Sequence, residues 1–367
     1  MTARRFAEYL RKKGHEVRVV STGEPAPGKY IVPEKHTPIV NYFSEKQSFV
    51  FAKPVESTLR KAMEGADIVH LFLPMGLERK AYRIAREMGI PCSAAFHLQP
   101  ENITFNISMG NWKWLSDQIY FGMYRIFYRH FDHIHCPSRF IAEQLKLHGY
   151  RAKLHVISNG ITDEFVPPAV PKPVPSEDEP YHILMIGRLS PEKRQDLIVS
   201  AVLQSKYRDR IQLHFAGTGP REGALRKLAA PLKHQPVFGY YQKEELLKLI
   251  YSCDLYIHAS DAEIEAIACL EAVACGLVPV ISDSKRSATS QFALDERSTF
   301  QAGNAADLRG KIDYWIEHPE EKQKMSAAYA ESAGRYSIDS CIQAAEEMFY
   351  ETIQDDQKKR TGRSNGS

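Results

Sequence analysis

The stretch from Ser260 to Ser282 constrains the fold of this chain more than any other, because it combines acidic residues with a compact helix–strand unit. Residues Ala266 to Cys275 are predicted to form a short apolar helix. The helix ends at Gly276, since glycine enters the left-handed region at little cost. The apolar, β-branched run from Val278 to Ile281 then predicts a buried strand of a parallel sheet.

Two glutamates in this stretch, Glu263 before the helix and Glu271 inside it, indicate a binding site. Carboxylates are almost never fully buried without a partner. They accept hydrogen bonds from the hydroxyls of a sugar or ribose, and a nearby helix N-terminus favours negative ligand groups. The alternative is a surface glutamate beside an ordinary helix–strand unit.

A second motif, G-R-L-S-P-E-K, follows a predicted strand at Tyr181 to Ile186. Gly187 lets the backbone turn, and Arg188 and Lys193 lie on either side of the first turn of the next helix. Two cations beside a helix N-terminus suit a diphosphate, for which Arg supplies a planar fork and Lys a point charge. Solvated surface cations are the alternative.

Together the two motifs resemble the donor site of retaining glycosyltransferases of family 4. That family has the GT-B fold, in which two Rossmann-like α/β domains face a cleft. Its motif usually reads E-G-F-G-L-x-x-x-E-A-x-A-x-G-x-P-V. This chain keeps both glutamates, the E-A-x-A-x-G run and P-V, but has Ile264, Glu265 and Ala266 in place of G-F-G. The family's loop offers backbone N–H groups to the transferred sugar at this point.

The resemblance implies roles for individual residues. As catalytic residues, Arg188 and Lys193 would hold the donor diphosphate and stabilise the leaving group, and Glu263 would bind the sugar. His97, at the carboxyl edge of a predicted strand, would contact the same sugar, although a loop histidine with no task is the alternative. Glu271 would bind the ribose. The other donor-binding positions implied are Gly187, Gly217, Gly219, Phe238, Ile264, Glu265 and Ala266.

The Gly217-Thr218-Gly219 turn also bears on the cofactor. A dinucleotide fingerprint needs a third glycine at position 222, where this chain has glutamate, so a nicotinamide cofactor is disfavoured. The sequence shows no metal-ligand spacing and no covalent nucleophile. We therefore predict no cofactor other than the nucleotide-sugar donor, and the resemblance implies retention by front-face displacement.

The order of predicted elements divides the chain into domains. Strands predicted at Asp67 to Leu73, Pro91 to Phe96, Asp132 to Cys136 and Lys153 to Ser158 alternate with helices and so favour a parallel sheet. The predicted divisions are an acceptor-side Rossmann-like domain (1–165), a Pro-rich linker (166–180), a nucleotide-sugar-binding Rossmann-like domain (181–337), a terminal helix returning to the first domain (338–353) and a disordered tail (354–367). A first domain of this kind normally opens with a strand and a Gly-rich turn, whereas this chain opens with a helix, so we expect a truncated start.

Composition limits the partners. The net charge of +3 over 367 residues is too small to indicate a nucleic-acid-binding protein. The six cysteines show no C-x-x-C pair, which indicates reduced thiols in the cytoplasm, and no apolar run reaches the ~20 residues of a membrane-spanning helix. Aromatic residues alternate with cations from Asn111 to Phe131, including Trp112 and Trp114. These rings favour either peripheral contact with the inner face of the cell membrane or a place in the domain core.

Function follows from the resemblance as an expectation. We predict hexosyl transfer from UDP-glucose or UDP-galactose to a lipid or saccharide acceptor of the cell envelope. A non-catalytic or impaired sugar-nucleotide-binding protein of the same fold is one alternative, favoured by the loss of G-F-G. A GT-B sugar-nucleotide epimerase is the other.

Overall fold

The structure, a computed structural model, describes residues 2–36, 50–106 and 113–364. The chain divides into two compact units, each built around a parallel β-sheet. The first unit comprises Met1–Leu98, Asp117–Asn159 and Asp339–Ser367, and the second comprises Gln99–Ser116 and Gly160–Ile338. This architecture confirms the predicted α/β class.

The first unit has a four-stranded parallel sheet in the order β3-β4-β5-β6, and β1 and β2 form a separate parallel pair. The elements up to residue 156 are α1 (Thr2–Lys12), β1 (Val19–Ser21), β2 (Lys29–Ile31), α2 (Glu56–Met63), β3 (Val69–Leu71), α3 (Gly76–Glu87), β4 (Cys92–Ala95), α4 (Pro100–Asn106), α5 (Lys113–Ile126), β5 (His133–Cys136), α6 (Arg139–Leu147) and β6 (Lys153–Val156). Of these elements, α4 and the first residues of α5 belong to the second unit. The four predicted core strands are present. Ser138 caps α6 by accepting a hydrogen bond from the Ile141 N–H at 3.3 Å.

The second unit has a six-stranded parallel sheet in the order β12-β11-β10-β7-β8-β9. Its elements, with the terminal helix, are β7 (Tyr181–Ile186), α7 (Gln195–Gln204), β8 (Ile211–Ala216), α8 (Glu222–Leu228), β9 (Val237–Gly239), α9 (Lys243–Ser252), β10 (Leu255–His258), α10 (Ile267–Ala274), β11 (Pro279–Ser282), β12 (Thr299–Phe300), α11 (Ala305–Glu317), α12 (Pro319–Ala333) and α13 (Ile338–Ser364). This is the doubly wound Rossmann order. The strand order reverses between β7 and β10, and ligands bind beyond the carboxyl ends of the strands at such a switch point.

Strand β7 shows why this sheet is stable. Ile183, Leu184 and Met185 are almost fully buried, as expected for a central strand covered on both faces. Burying each such side chain stabilises the fold by about 1.5–3 kcal/mol. The loop that follows β7 is thus held on a rigid base.

The units divide earlier than the composition predicts. The boundary lies between Asn159 and Gly160, ahead of the proline-rich segment 166–180. That segment belongs to the second unit because its backbone and side chains contact it. Arg210 Nη2 donates to the Pro175 carbonyl at 3.0 Å, and Lys172 Nζ lies 2.6 Å from Asp254 Oδ2.

The chain re-enters the second unit at Gly160 and leaves it at Ile338, and these two points lie close together. Ile161 N–H donates to the Tyr336 carbonyl at 2.8 Å, and Ile338 N–H donates to the Ile161 carbonyl at 2.9 Å. Gly160 has φ +76°, and a Cβ there would lie 2.9 Å from the backbone Cα of Ile338. Glycine is therefore required for this close approach.

The prediction of a disordered tail over 354–367 is wrong for most of that range. Helix α13 continues to Ser364, and residues 365–367 lie outside the described residues. Polar contacts hold the helix on the first unit: Lys359 Nζ lies 2.6 Å from Asp132 Oδ1, and Arg360 Nη2 donates to the Gly89 carbonyl at 2.7 Å. Composition alone does not show such tertiary partners.

Candidate active site

The loop after β7 contains the predicted diphosphate motif. Gly187 has φ +153°, and its N–H donates to the Ala216 carbonyl at 2.9 Å. Residues Pro191–Lys193 form a 3-10 turn that leads into α7. Within the described part of the chain, no carboxylate pairs with the half-buried Arg188 side chain. Its positive charge therefore remains available to an anion beside a helix N-terminus.

The glycines after β8 allow this loop to approach closely. A Cβ on Gly217 would lie 2.1 Å from the Gly187 carbonyl oxygen, and one on Gly219 would lie 2.3 Å from that of Leu189. Both contacts involve backbone atoms that cannot rotate away. The two positions therefore accept only glycine without displacement of the loop that carries Arg188.

The acidic loop after β10 lies against the diphosphate motif. Asp261 N–H donates to the Glu192 carbonyl at 2.8 Å, and Arg194 Nη1 donates to Asp261 Oδ2 at 3.1 Å. Lys193 Nζ and Glu263 Oε1 form an ion pair between the two loops. The fold thus brings the two sequence motifs together at the switch point of the sheet.

A buried chain of hydrogen bonds positions this ion pair. His258 Nε2 lies 3.0 Å from Glu263 Oε1, and the other ring nitrogen, Nδ1, lies 3.0 Å from the Tyr256 hydroxyl. Tyr256 and His258 belong to β10 and are almost fully buried. The carboxylate of Glu263 is therefore fixed from the core side by His258 and from the loop side by Lys193.

The protonation states follow from these contacts. Burial opposes ionisation of Glu263, but the Lys193 ammonium and the hydrogen bond from His258 outweigh it and hold the carboxyl pKa well below its ordinary value. Burial lowers the pKa of His258 as well, although Glu263 partly offsets this. The site at neutral pH therefore contains a carboxylate and a neutral imidazole.

The remaining acidic residues of the motif are also buried. Glu265 lies in the loop, and Glu271 lies in α10 with 9% of its surface exposed. Ala266, where the family usually has glycine, has φ +66° and ψ +58°. This left-handed conformation is favourable for glycine and unfavourable for alanine. The loop therefore has the backbone conformation expected of the family's glycine, although the residue here is alanine.

One further segment reaches this loop within the second unit. Gln99 Nε2 donates to the Arg286 carbonyl at 2.8 Å, and the Glu263 N–H donates to the same carbonyl at 3.3 Å. The first unit was predicted to contain Gln99, but the segment Gln99–Ser116 belongs to the second.

The other predicted residues lie elsewhere. His97 follows β4 in the first unit, where its ring stacks on Phe72 with centroids 5.4 Å apart. Burial, and then the neighbouring His135, hold its pKa well below the ordinary value. Phe238 lies in β9 and packs on Phe215, with the Arg226 guanidinium 4.5 Å from its ring centroid. Their contact with a donor stays a prediction.

Sequence reasoning missed Tyr256, His258, Arg194 and Gln99. The available signal was His258 itself, because it follows the apolar run Leu255–Ile257 and lies five residues before Glu263. A polar residue at the carboxyl end of a central strand is a site candidate.

Two family models match the chain in succession. Residues 1–165 match Glycosyltransferase Family 4, and residues 168–332 match Glycosyl transferases group 1. The chain therefore belongs to the family 4 glycosyltransferases and has the GT-B fold.

Similar proteins include two curated relatives. A sulfoquinovosyl transferase of Arabidopsis thaliana is 25% identical over 90% of this chain and 66% of its own length. An alpha-monoglucosyldiacylglycerol synthase of Streptococcus pneumoniae is 26% identical over 74% of this chain and 65% of its own length. The chain thus spans just under two thirds of the length of these relatives.

A solved structure supports the fold. The Anabaena protein HepE, in complex with UDP and glucose, is 17% identical over 80% of this chain and 82% of that chain, with a TM-score of 0.64.

Proposed function

We propose that this chain transfers a hexose from a nucleotide-diphosphate sugar, UDP-glucose or UDP-galactose first among those to test, to a lipid acceptor with retention at the anomeric carbon. The observation that carries the proposal is the meeting of the two motifs through Lys193 and Glu263. Arg188 lies beside this pair, and no carboxylate among the described residues pairs with it. The departing diphosphate needs positive charge, which Arg188 and Lys193 provide. The sugar hydroxyls need a hydrogen-bond acceptor, which Glu263 provides.

Each residue then has a distinct task. Arg188 and Lys193 neutralise charge as it develops on the departing diphosphate, and fixed charges stabilise it without reorganising at that moment. Glu263 accepts hydrogen bonds from the sugar, and Glu271 accepts them from the ribose. The low pKa of Glu263 keeps it an acceptor through the physiological range.

The lipid acceptor is supported by one relative and by α5. The Streptococcus pneumoniae relative is an alpha-monoglucosyldiacylglycerol synthase, which makes a diacylglycerol glycolipid. In α5, Trp114 is 59% exposed and Phe121 is 50% exposed, while the Arg125 guanidinium lies 5.5 Å from the Phe121 ring. Exposed rings beside cations suit the headgroup level of a membrane.

The aromatic segment nevertheless has two parts. Tyr120, Phe127, Tyr128 and Phe131 are buried, so the core interpretation holds for them, and Trp112 lies outside the described residues. No helix in the described ranges is long and apolar enough to cross a membrane. Contact with a bilayer would therefore rest on the exposed Trp114 and Phe121.

Turnover tests the proposal. Radiolabelled UDP-glucose and UDP-galactose are each incubated with the chain and vesicles containing diacylglycerol, with a soluble oligosaccharide acceptor in a parallel reaction. Label in the lipid phase is expected. Label only in the oligosaccharide would exclude the lipid acceptor, and donor binding without product would favour the sugar-nucleotide-binding protein. Conversion of one donor sugar into the other would favour an epimerase.

A further inference from the structure

A cluster of two histidines and a glutamate in the first unit lies outside the donor motifs. His133 in β5, His155 in β6 and Glu351 in α13 place one potential ligand atom each within 4.8 Å of the others. We propose that these three residues bind a zinc ion that fastens the terminal helix to the sheet. The proposal is independent of the transferase activity.

The sheet register places the two histidines on one face. His133 pairs with Lys153, and His135 pairs with His155, so all four side chains point to the same side of the parallel ladder. His133 Nδ1 and His155 Nε2 are 3.0 Å apart. The two rings share a hydrogen bond at this distance, and an ion that takes the place of its proton would have both nitrogens as ligands.

The carboxylate comes from the helix that covers this face. Glu351 Oε2 lies 3.9 Å from His155 Nε2, while Lys153 Nζ pairs with the other oxygen, Oε1. The lysine therefore occupies one carboxylate oxygen and leaves the second directed at the histidines. Together the residues supply two nitrogens and one oxygen.

A fourth residue orients the first histidine. Asp355, one helical turn after Glu351, places Oδ2 3.3 Å from His133 Nε2. With the proton of His133 on Nε2, Nδ1 has a free lone pair for the metal. Metal-bound histidines usually donate their other N–H to a carboxylate in this way.

The ligand set selects the ion. Two imidazoles and one carboxylate suit zinc, which takes His and Glu ligands in four-coordinate sites and leaves a position for water. His133 is almost fully buried and His155 is half-buried, so the cluster is not a solvated surface patch. Such an ion would link β5, β6 and α13.

The second unit provides an internal control. His182 Nδ1 and His214 Nε2, on the adjacent strands β7 and β8, are 2.8 Å apart. The neighbouring Asp254 accepts a hydrogen bond at Oδ2 from the backbone N–H of His182 at 2.8 Å. The same oxygen lies 2.6 Å from Lys172 Nζ, so it is already paired. Across the described ranges, a set of three potential ligand atoms forms only at the His133 cluster.

The test uses the untagged full chain after removal of metal by a chelator. We expect one Co²⁺ per chain, with the visible bands of a four-coordinate site and no sulfur-to-cobalt absorption, and displacement of Co²⁺ by Zn²⁺. His155→Gln and Glu351→Gln should lose this binding, and Asp355→Asn should weaken it by about 10–100-fold. His214→Gln should bind as the unchanged chain does.

Thermal unfolding gives a second readout. Zinc should raise the melting temperature of the unchanged chain and of His214→Gln, because a ligand of the folded state stabilises it. It should not do so for Glu351→Gln, which removes a partly exposed charge and keeps the fold. The proposal is overturned by no binding, by a sulfur-to-cobalt band, or by equal zinc effects in the unchanged chain and Glu351→Gln.

Discussion

His258 Nε2 lies 3.0 Å from Glu263 Oε1, and this contact joins the last residue of a core strand to the acidic loop. Because Tyr256 holds the other ring nitrogen, the imidazole cannot rotate without breaking a second hydrogen bond. Glu263 and its ion-pair partner Lys193 thereby receive a fixed position from the sheet.

His258→Gln should lower kcat by about tenfold to hundredfold, because small displacements of a substrate-contacting group carry costs of this size. His258 is a positioning residue, so KM for the donor should change less than kcat. Steady-state kinetics on both donors measures the two constants. His182→Gln, which alters a histidine of the same sheet away from the motifs, should leave both unchanged; equal losses in the two variants would indicate a general folding defect.

Removing a cation from the diphosphate motif should have a larger effect. Lys193→Ala and Arg188→Ala should each lower kcat about 10²–10³-fold, the usual cost of losing one charge-stabilising group. Lys206→Ala provides the control, since Lys206 is an exposed lysine of the same unit paired with Glu317. Full activity in both motif variants would disprove the diphosphate site.

Two glycine substitutions in one unit should act in opposite directions. Gly217→Ala brings a methyl against the Gly187 carbonyl, so the loop must shift and both stability and donor binding should fall. Gly223→Ala lies in α8 with nothing within 4 Å of the added methyl, and should stabilise by about 0.5–1 kcal/mol. Urea unfolding of the two variants measures the contrast, and a stable Gly217→Ala would show that the loop tolerates the shift.

Ala266→Gly should stabilise the chain slightly or leave it unchanged. Alanine in the left-handed region costs about 1–2 kcal/mol, and glycine loses about 0.4–1 kcal/mol more conformational entropy on folding. Ala272→Gly, inside α10, should instead destabilise by at least about 1 kcal/mol. Equal destabilisation of both variants would mean that the strain at Ala266 is not relieved by glycine.

The free energy of unfolding should rise with pH between about 3 and 6.5. Burial, and then the neighbouring His135, lower the pKa of His70 to about 3. Below its ordinary value of 6.5, the unfolded chain takes up a proton that the folded chain does not, so lowering the pH favours unfolding. His70→Gln should reduce the slope of the free energy of unfolding by up to about 1.4 kcal/mol per pH unit. Urea titrations at pH 5.5 and pH 7 compare the slopes, and an unchanged slope would show that His70 takes up a proton in the folded state.

The parts predicted from sequence are those encoded locally. Tight turns are indicated by Gly187, Gly217 and Gly219, and parallel strands are indicated by the apolar runs. Both signals are local, because backbone conformation depends on neighbouring residues. The family motif adds the two glutamates and the two cations. This accounts for the fold of both units and for the meeting of the two loops.

The parts that were missed depend on tertiary contacts. His258 contacts Glu263 only because β10 and its loop fold together, and Glu351 reaches His155 only because α13 packs on the first sheet. The disordered tail was predicted from polarity, yet Lys359 and Arg360 find partners far away in sequence. The composition of a segment does not show which distant residues it contacts in the folded chain.

Product analysis tests the central claim most directly. The chain is incubated with UDP-glucose and diacylglycerol vesicles, and the anomeric configuration of the glycolipid is read by nuclear magnetic resonance, with Lys193→Ala and Lys206→Ala in parallel. We predict an α-linked product that forms with the unchanged chain and Lys206→Ala and is lost with Lys193→Ala. A β-linked product, or equal product from both lysine variants, would contradict the account.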